Sequence, residues 1–293
     1  MSPPRRDGLT PLVARRPGWR RKAWNATILG ACYLSAALVV LPLGLIVSHL
    51  LARGLPGLNL AFFFHLPKPV GEPGGGMANA IVGTLMLVGL GSLFSVPIGV
   101  GAGVYLAEYG GGRFAGLVRY TADVLSGVPS IVIGVATYAL VVVPMGRFSA
   151  IAGGVALGVL MLPTIIRSTE EVVRLVPRSY REAALALGAP RWKMIQQVVI
   201  PAASAGIVTA CTLSLARAAG ETAPLLFTAL GNRFWSVGLD RPIASLPVFI
   251  YDYSRAPYDD WNRQAWAGAL VLLMLVTLVS ALLRVTTRRI PAR

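Results

Sequence analysis

Long apolar stretches separated by short polar ones dominate the chain. Six of them reach or approach the roughly 20 residues a helix needs to cross a bilayer. They run over 27–51, 78–106, 121–143, 149–166, 198–219 and 265–283. Within each, apolar residues are continuous rather than alternating, which predicts helices and excludes barrel strands. The expected architecture is therefore an all-α membrane protein with six transmembrane helices. Gly127-Val128-Pro129-Ser130 should break or bend the third span. Pro97, Gly99, Gly101 and Gly103 mark a kink or a close packing seam in the second. Two long connections, 52–77 and 220–264, carry Pro, Gly and Trp and are long enough to have a function of their own. Trp261 and Trp266 suit an aromatic belt at the membrane surface.

The charges orient this pattern. Hydrophobic residues make up 55% of the 293 and charged ones only 13%, with Lys and Arg at 27 against 12 Asp and Glu. If the N-terminus is cytoplasmic, nineteen of the basic residues fall inside and seven outside, with Arg217 in the fifth span itself. That asymmetry predicts both termini in the cytoplasm. It also makes the +15 net charge a topology signal and not a nucleic-acid footprint. Segment 1–26 reads as a basic, mobile cytoplasmic N-terminus; 27–77 as the first transmembrane helix, retained rather than cleaved, and an outer loop. A core of five spans over 78–285 and a tail over 286–293 complete the division.

Candidate chemistry is sparse. His49 and His65 have no zinc-site spacing, and Cys32 and Cys211 lie in apolar stretches as small hydrophobes to be buried. No phosphate-binding loop of the G-x-x-x-x-G-K-[ST] kind surrounds Lys22, Lys68 or Lys193, and nothing resembles a hydrolytic triad. A metal-free membrane subunit that binds no ATP and no other cofactor, and is not itself an enzyme, is expected.

Residues 167–197 form the longest inner loop. Ser179–Leu187 is a strong helix former, preceded by Pro177 and stopped by Gly188. Small residues on one face would let it seat in a groove of another protein; an amphipathic loop resting on the membrane is the alternative. The order Glu182-Ala183-Ala184, three residues, Gly188, nine residues, Val198, Val199, Ile200, Pro201 is similar to the EAA loop of binding-protein-dependent ABC importer permeases. Val198 and Ile200 replace that pattern's Ile and Leu. Five further stretches, 79–84, 97–109, 125–134, 161–177 and 215–229, resemble the phosphate branch of this family.

The resemblance implies a core of the ABC importer permease (MetI-like) type. It also implies a second permease, two ATPase subunits that bind the ATP, and an extracytoplasmic phosphate-binding protein as partners, in a membrane importer of inorganic phosphate. Glu182, Ala183, Ala184 and Gly188 would then couple to the ATPase. The same machine with another cargo (molybdate, sulfate or an organic solute), or a subunit signalling phosphate status, are the alternatives.

Charged residues at membrane depth are the candidate pathway groups. Arg217 and Glu221 are four apart near the outer end of the fifth span; Arg167 and Glu170 are three apart at the inner end of the fourth. A guanidinium can hold two phosphate oxygens at once. Asp123 is expected as an N-terminal acid of the third span. Asn79 and Thr84 are weaker candidates for pore-facing polar groups.

Overall fold

The computed structural model describes residues 18–288, Pro73 excepted. Most of the basic segment 1–26 and the end of the tail therefore lie outside the described residues. Those described are helical, apart from loops and one isolated bridge between Leu230 and Ile243. The chain divides into two compact units, Met1–His49 and Leu50–Arg293.

The first unit holds most of α1 (Trp19–Gly54). Its side chains are exposed around the whole circumference; Leu38, Val39, Leu41 and Leu43 are typical. An apolar helix with no polar face is solvated by lipid. Cys32 shares this exposure, against the expectation that it is buried.

The second unit begins with the end of α1 and a tight turn, Leu55–Gly57, followed by the short α2 (Leu60–Phe64), whose start is capped by the Asn59 side chain accepting from the Phe62 amide at 2.8 Å. Then comes α3 (Ala78–Tyr109), 32 residues long and continuous through Pro97. α4 (Arg113–Gly127) starts eight residues before the apolar run that predicts the third span. Asp123 consequently lies ten residues inside this helix and is no N-terminal acid. The predicted break is present. Val128 and Pro129 are extended, because a proline disfavours helix in the residue before it. The chain turns by 106° between Arg113–Gly127 and Ser130–Met145. This second limb comprises α5 (Ser130–Thr137), a wide π turn over Tyr138–Val142 and α6 (Val143–Met145).

α7 (Ala150–Arg174) is capped by Ser149. It runs along α3 as the central pair of the fold. A Cβ at Gly103 would stand 2.6 Å from Thr169, and one at Gly158 would collide with the Phe94 ring. Backbones can approach this closely only where side chains are absent, which is how membrane helices gain contact without a hydrophobic driving force. The glycines of α3 at this seam thus serve close packing; Pro97 does not interrupt the helix.

The connection between α7 and α10 contains α8 (Arg178–Ala186) and α9 (Arg191–Met194). A second π turn, Ile195–Val199, leads into α10 (Ile200–Ala219). After α11 (Ala223–Thr228) and a loop come α12 (Leu246–Ser254) and α13 (Asp259–Arg288). Among the described residues five helices are long and apolar enough to cross a membrane, six if the bent pair is counted as one span.

Asn79 and Thr84 are not pore-facing. Both are buried at the start of α3 and tie down the loop before α12. Asn79 donates to the Asn232 carbonyl at 2.7 Å, and the Leu246 amide donates to the Thr84 hydroxyl at 2.8 Å. Trp261 is likewise drawn into the structure. It stacks on Tyr253 with ring centres 4.3 Å apart, and the Arg233 guanidinium lies over its ring, 5.0 Å from the centroid.

Candidate functional site

The break between α4 and α5 opens a hollow of about 270 Å³. Ser126, Gly127, Pro129 and Ser130 line it from the break, Pro163 and Thr164 from α7, and Arg217 from the last turn of α10. The first amides of any helix lack intrahelical acceptors and carry the positive end of the helix dipole. Here the start of α5, a hydroxyl-rich rim and a guanidinium share one small space. Such a set suits an oxyanion. Discontinuous membrane helices commonly put a half-helix N-terminus at a bound anionic group.

Arg217 is 62% exposed at its side chain, and its Nε lies 3.8 Å from Glu221 Oε1. The expected pair is therefore present but loose. The helix ends at Ala219, so Glu221 sits beyond it and cannot close a tight i,i+4 contact. The guanidinium keeps donors free for another partner.

Arg167 lies one helical turn beyond Thr164 and is held much more firmly. Two of its nitrogens meet the two Asp123 oxygens at 2.7 and 2.6 Å, a bidentate pair linking α7 to α4. It also reaches Glu170 at 3.2 Å, the neighbour its spacing predicts. Glu170 is 2% exposed and accepts from two further arginines, Arg119 at 2.7 Å and Arg174 at 2.6 Å. Arg119 in addition donates to the Leu106 and Gly110 carbonyls at the end of α3. A buried carboxylate is tolerable only with such compensation. The Arg174 contact was legible as an i,i+4 spacing; Arg119 and Asp123, 51 and 44 residues from their partners, carry no sequence signal.

In the connection from α7 to α10, Gly188 adopts φ +78°, the left-handed stop its position predicts. Glu182, Ala183 and Gly188 are exposed, while Ala184 is half-buried and packs against the main core. Around them Leu175, Tyr180, Leu185, Leu187 and Trp192 expose apolar side chains, Leu187 at 89%. Arg181, just before the EAA triplet, points the other way. Its side chain is 17% exposed and meets Glu108 of α3 at 2.7 Å.

A bent membrane helix beside a central α3–α7 pair, with an EAA loop between α7 and α10, defines an importer permease. The chain belongs to the family of binding-protein-dependent transport system inner membrane components, whose model matches residues 99–291. It is thus a multi-pass membrane permease of the ABC transporter class. Among its relatives are proteins named phosphate transport system permease protein PstA. That of Yersinia pestis is 42% identical over 286 residues, 96% of each chain. That of Haemophilus influenzae is 44% identical, covering 87% of this chain and 91% of its own. PstA 1 of Mycobacterium tuberculosis is 38% identical, covering 95% of each. The fold is also that of a chain in the inward-facing MetNI methionine ABC transporter. The TM-score is 0.59 at 21% identity, over 73% of this chain and 97% of that one.

Proposed function

We propose that this chain is the membrane permease subunit of an ATP-driven importer of inorganic phosphate, with both termini in the cytoplasm. Its partners are a second, PstC-like permease, two ATPase subunits and an extracytoplasmic phosphate-binding protein. The chain binds no cofactor; ATP is bound by the ATPases.

The observation that carries this reading is Arg217 in the hydroxyl-lined hollow at the α4–α5 break, together with the phosphate permeases to which the chain is similar over nearly its whole length. Two oxygens of the anion accept from the guanidinium, and the first-turn amides of α5 and nearby hydroxyls receive the rest. Glu221 competes for the same guanidinium and keeps the site from holding its cargo too tightly. The anion then passes toward Arg167, whose bonds to Asp123 and Glu170 must loosen for it to leave. Glu182, Ala183, Ala184 and Gly188 form the element that seats on an ATPase, covering the exposed apolar residues around α8.

Uptake of radiolabelled phosphate at micromolar concentration, in cells lacking this chain and other phosphate systems, tests the cargo. Restoring the chain should restore uptake that unlabelled phosphate blocks and sulfate or molybdate does not. Arg217→Gln should abolish uptake while the assembled complex persists. Block by sulfate or molybdate instead would reassign the cargo.

A further inference from the structure

α8 buries none of its residues, so its hold on the rest of the molecule depends on a few directed contacts. Arg181 supplies most of these. Its Nε and Nη2 donate to Glu108 Oε1 at 2.9 and 2.7 Å. The same guanidinium donates to the Val173 carbonyl at 2.9 Å and to the Val176 carbonyl. One side chain thereby joins the last turn of α3 to the last turn of α7. Glu108 is 5% exposed at its side chain, so the ion pair is shielded from water and salt.

The far end of the loop grips the same place. Arg191 in α9 donates to the Glu108 carbonyl, and its guanidinium lies 4.4 Å from the centre of the Tyr109 ring. A loop that connects α7 to α10 in sequence is therefore clamped at both ends to a third helix, α3. Because α3 and α7 are packed backbone to backbone, a displacement delivered at Arg181 moves them as one body. From α9 the chain continues through the π turn into α10, whose last turn carries Arg217.

We propose that the Arg181–Glu108 pair, backed by Arg191, is the transmission link of this permease: it passes movement of the docked α8 to the α3–α7 pair, and its loss uncouples ATP hydrolysis from transport without undocking the ATPase. Arg181 and Glu108 are positioning residues, touching neither cargo nor nucleotide. The inference rests on the reading of α8 as the docking element.

The test uses the whole complex in proteoliposomes carrying Glu108→Gln, with Glu108→Asp as the conservative variant. In Glu108→Gln the ATPases should co-purify as in the unaltered complex and hydrolyse ATP, while phosphate imported per ATP falls by about fivefold or more. Glu108→Asp should recover part of that ratio, which loss of packing alone would not. An unchanged ratio overturns the proposal, and so does loss of the ATPases, which would make the pair a support for docking. If Glu108→Gln does not accumulate, Arg181→Lys replaces it. Lysine keeps the charge but cannot bridge one carboxylate and two carbonyls, so the ratio should again fall, and an unchanged ratio again overturns the link. A second readout needs no cargo. A Ser126→Cys reporter in a chain without Cys32 and Cys211 should change its maleimide labelling with ATP, and lose that response in Glu108→Gln. An equal response in both overturns the link; a complex that shows the ATP response but imports no phosphate overturns only the cargo.

Discussion

At Glu170 a single carboxylate with 2% exposure faces three guanidiniums. Removing it leaves Arg119, 23% exposed, with only backbone carbonyls to meet its charge, and breaking a buried pair from one side costs up to about 3–5 kcal/mol. Glu170→Ala should therefore lower the thermal stability of the purified permease sharply. Arg174→Ala, whose side chain is 56% exposed, removes a screened partner and should cost about 1 kcal/mol or less. Equal melting temperatures for the two variants would contradict this ranking. Asp252 in α12 behaves in the opposite way. Although Asp252 lies at the surface, partial desolvation raises its carboxyl, against the lowering influence of Arg233 and Arg255. The folded state then binds the proton more readily than the unfolded one, so ionised Asp252 costs stability at neutral pH. That cost disappears as pH falls through the folded value toward the unfolded one. Asp252→Asn should melt at or above the unaltered protein at neutral pH, and the gap should close on acidification.

The helices owe their existence to apolar composition, but their packing depends on which glycines face a neighbour. Gly103 meets Thr169 and the Ile166 carbonyl, so Gly103→Ala forces the α3–α7 seam apart and should cost about 1–3 kcal/mol. Gly101, two residues earlier, has nothing within 4 Å of an added Cβ. Gly101→Ala should be neutral or stabilise by up to about 1 kcal/mol, since alanine is the better helix former. Thermal unfolding of the two variants side by side separates a packing glycine from a tolerated one. The π turns at Tyr138–Val142 and Ile195–Val199 are also element-scale features. Nothing in their composition announces the extra residue per turn.

For the molecule as a whole, the proposed function assigns roles to two places in the fold, the hollow at the helix break and the loop around α8. The loop owes its shape to Gly188 in the left-handed region, where a Cβ would meet no neighbour. A substitution there thus tests backbone conformation and not steric room. Asparagine tolerates this region and valine does not, at about 1–2 kcal/mol. In the assembled importer, Gly188→Val should reduce ATPase co-purification by about tenfold, the equivalent of 1.4 kcal/mol, and Gly188→Asn should largely preserve it. Equal retention in both would separate the turn from docking.

Sequence alone determined the lipid-facing character, the apolar spans, the EAA loop with its glycine stop and the break at Gly127–Ser130, because each is a local property of composition or spacing. It also singled out Arg217 and Arg167, since an ionisable group in an apolar run is visible without a fold. Only the tertiary structure decided which charges meet. Asp123 looked like a helix-start acid until α4 proved to begin at Arg113, which turned it toward Arg167. Asn79 and Thr84 looked like pore residues until the loop before α12 folded onto them. Glu108 and Arg181, 73 residues apart, carried no mark of their pairing. Side-chain partners across helices are set by how three-dimensional packing brings distant turns together, and that information is spread over the whole chain rather than written at either residue.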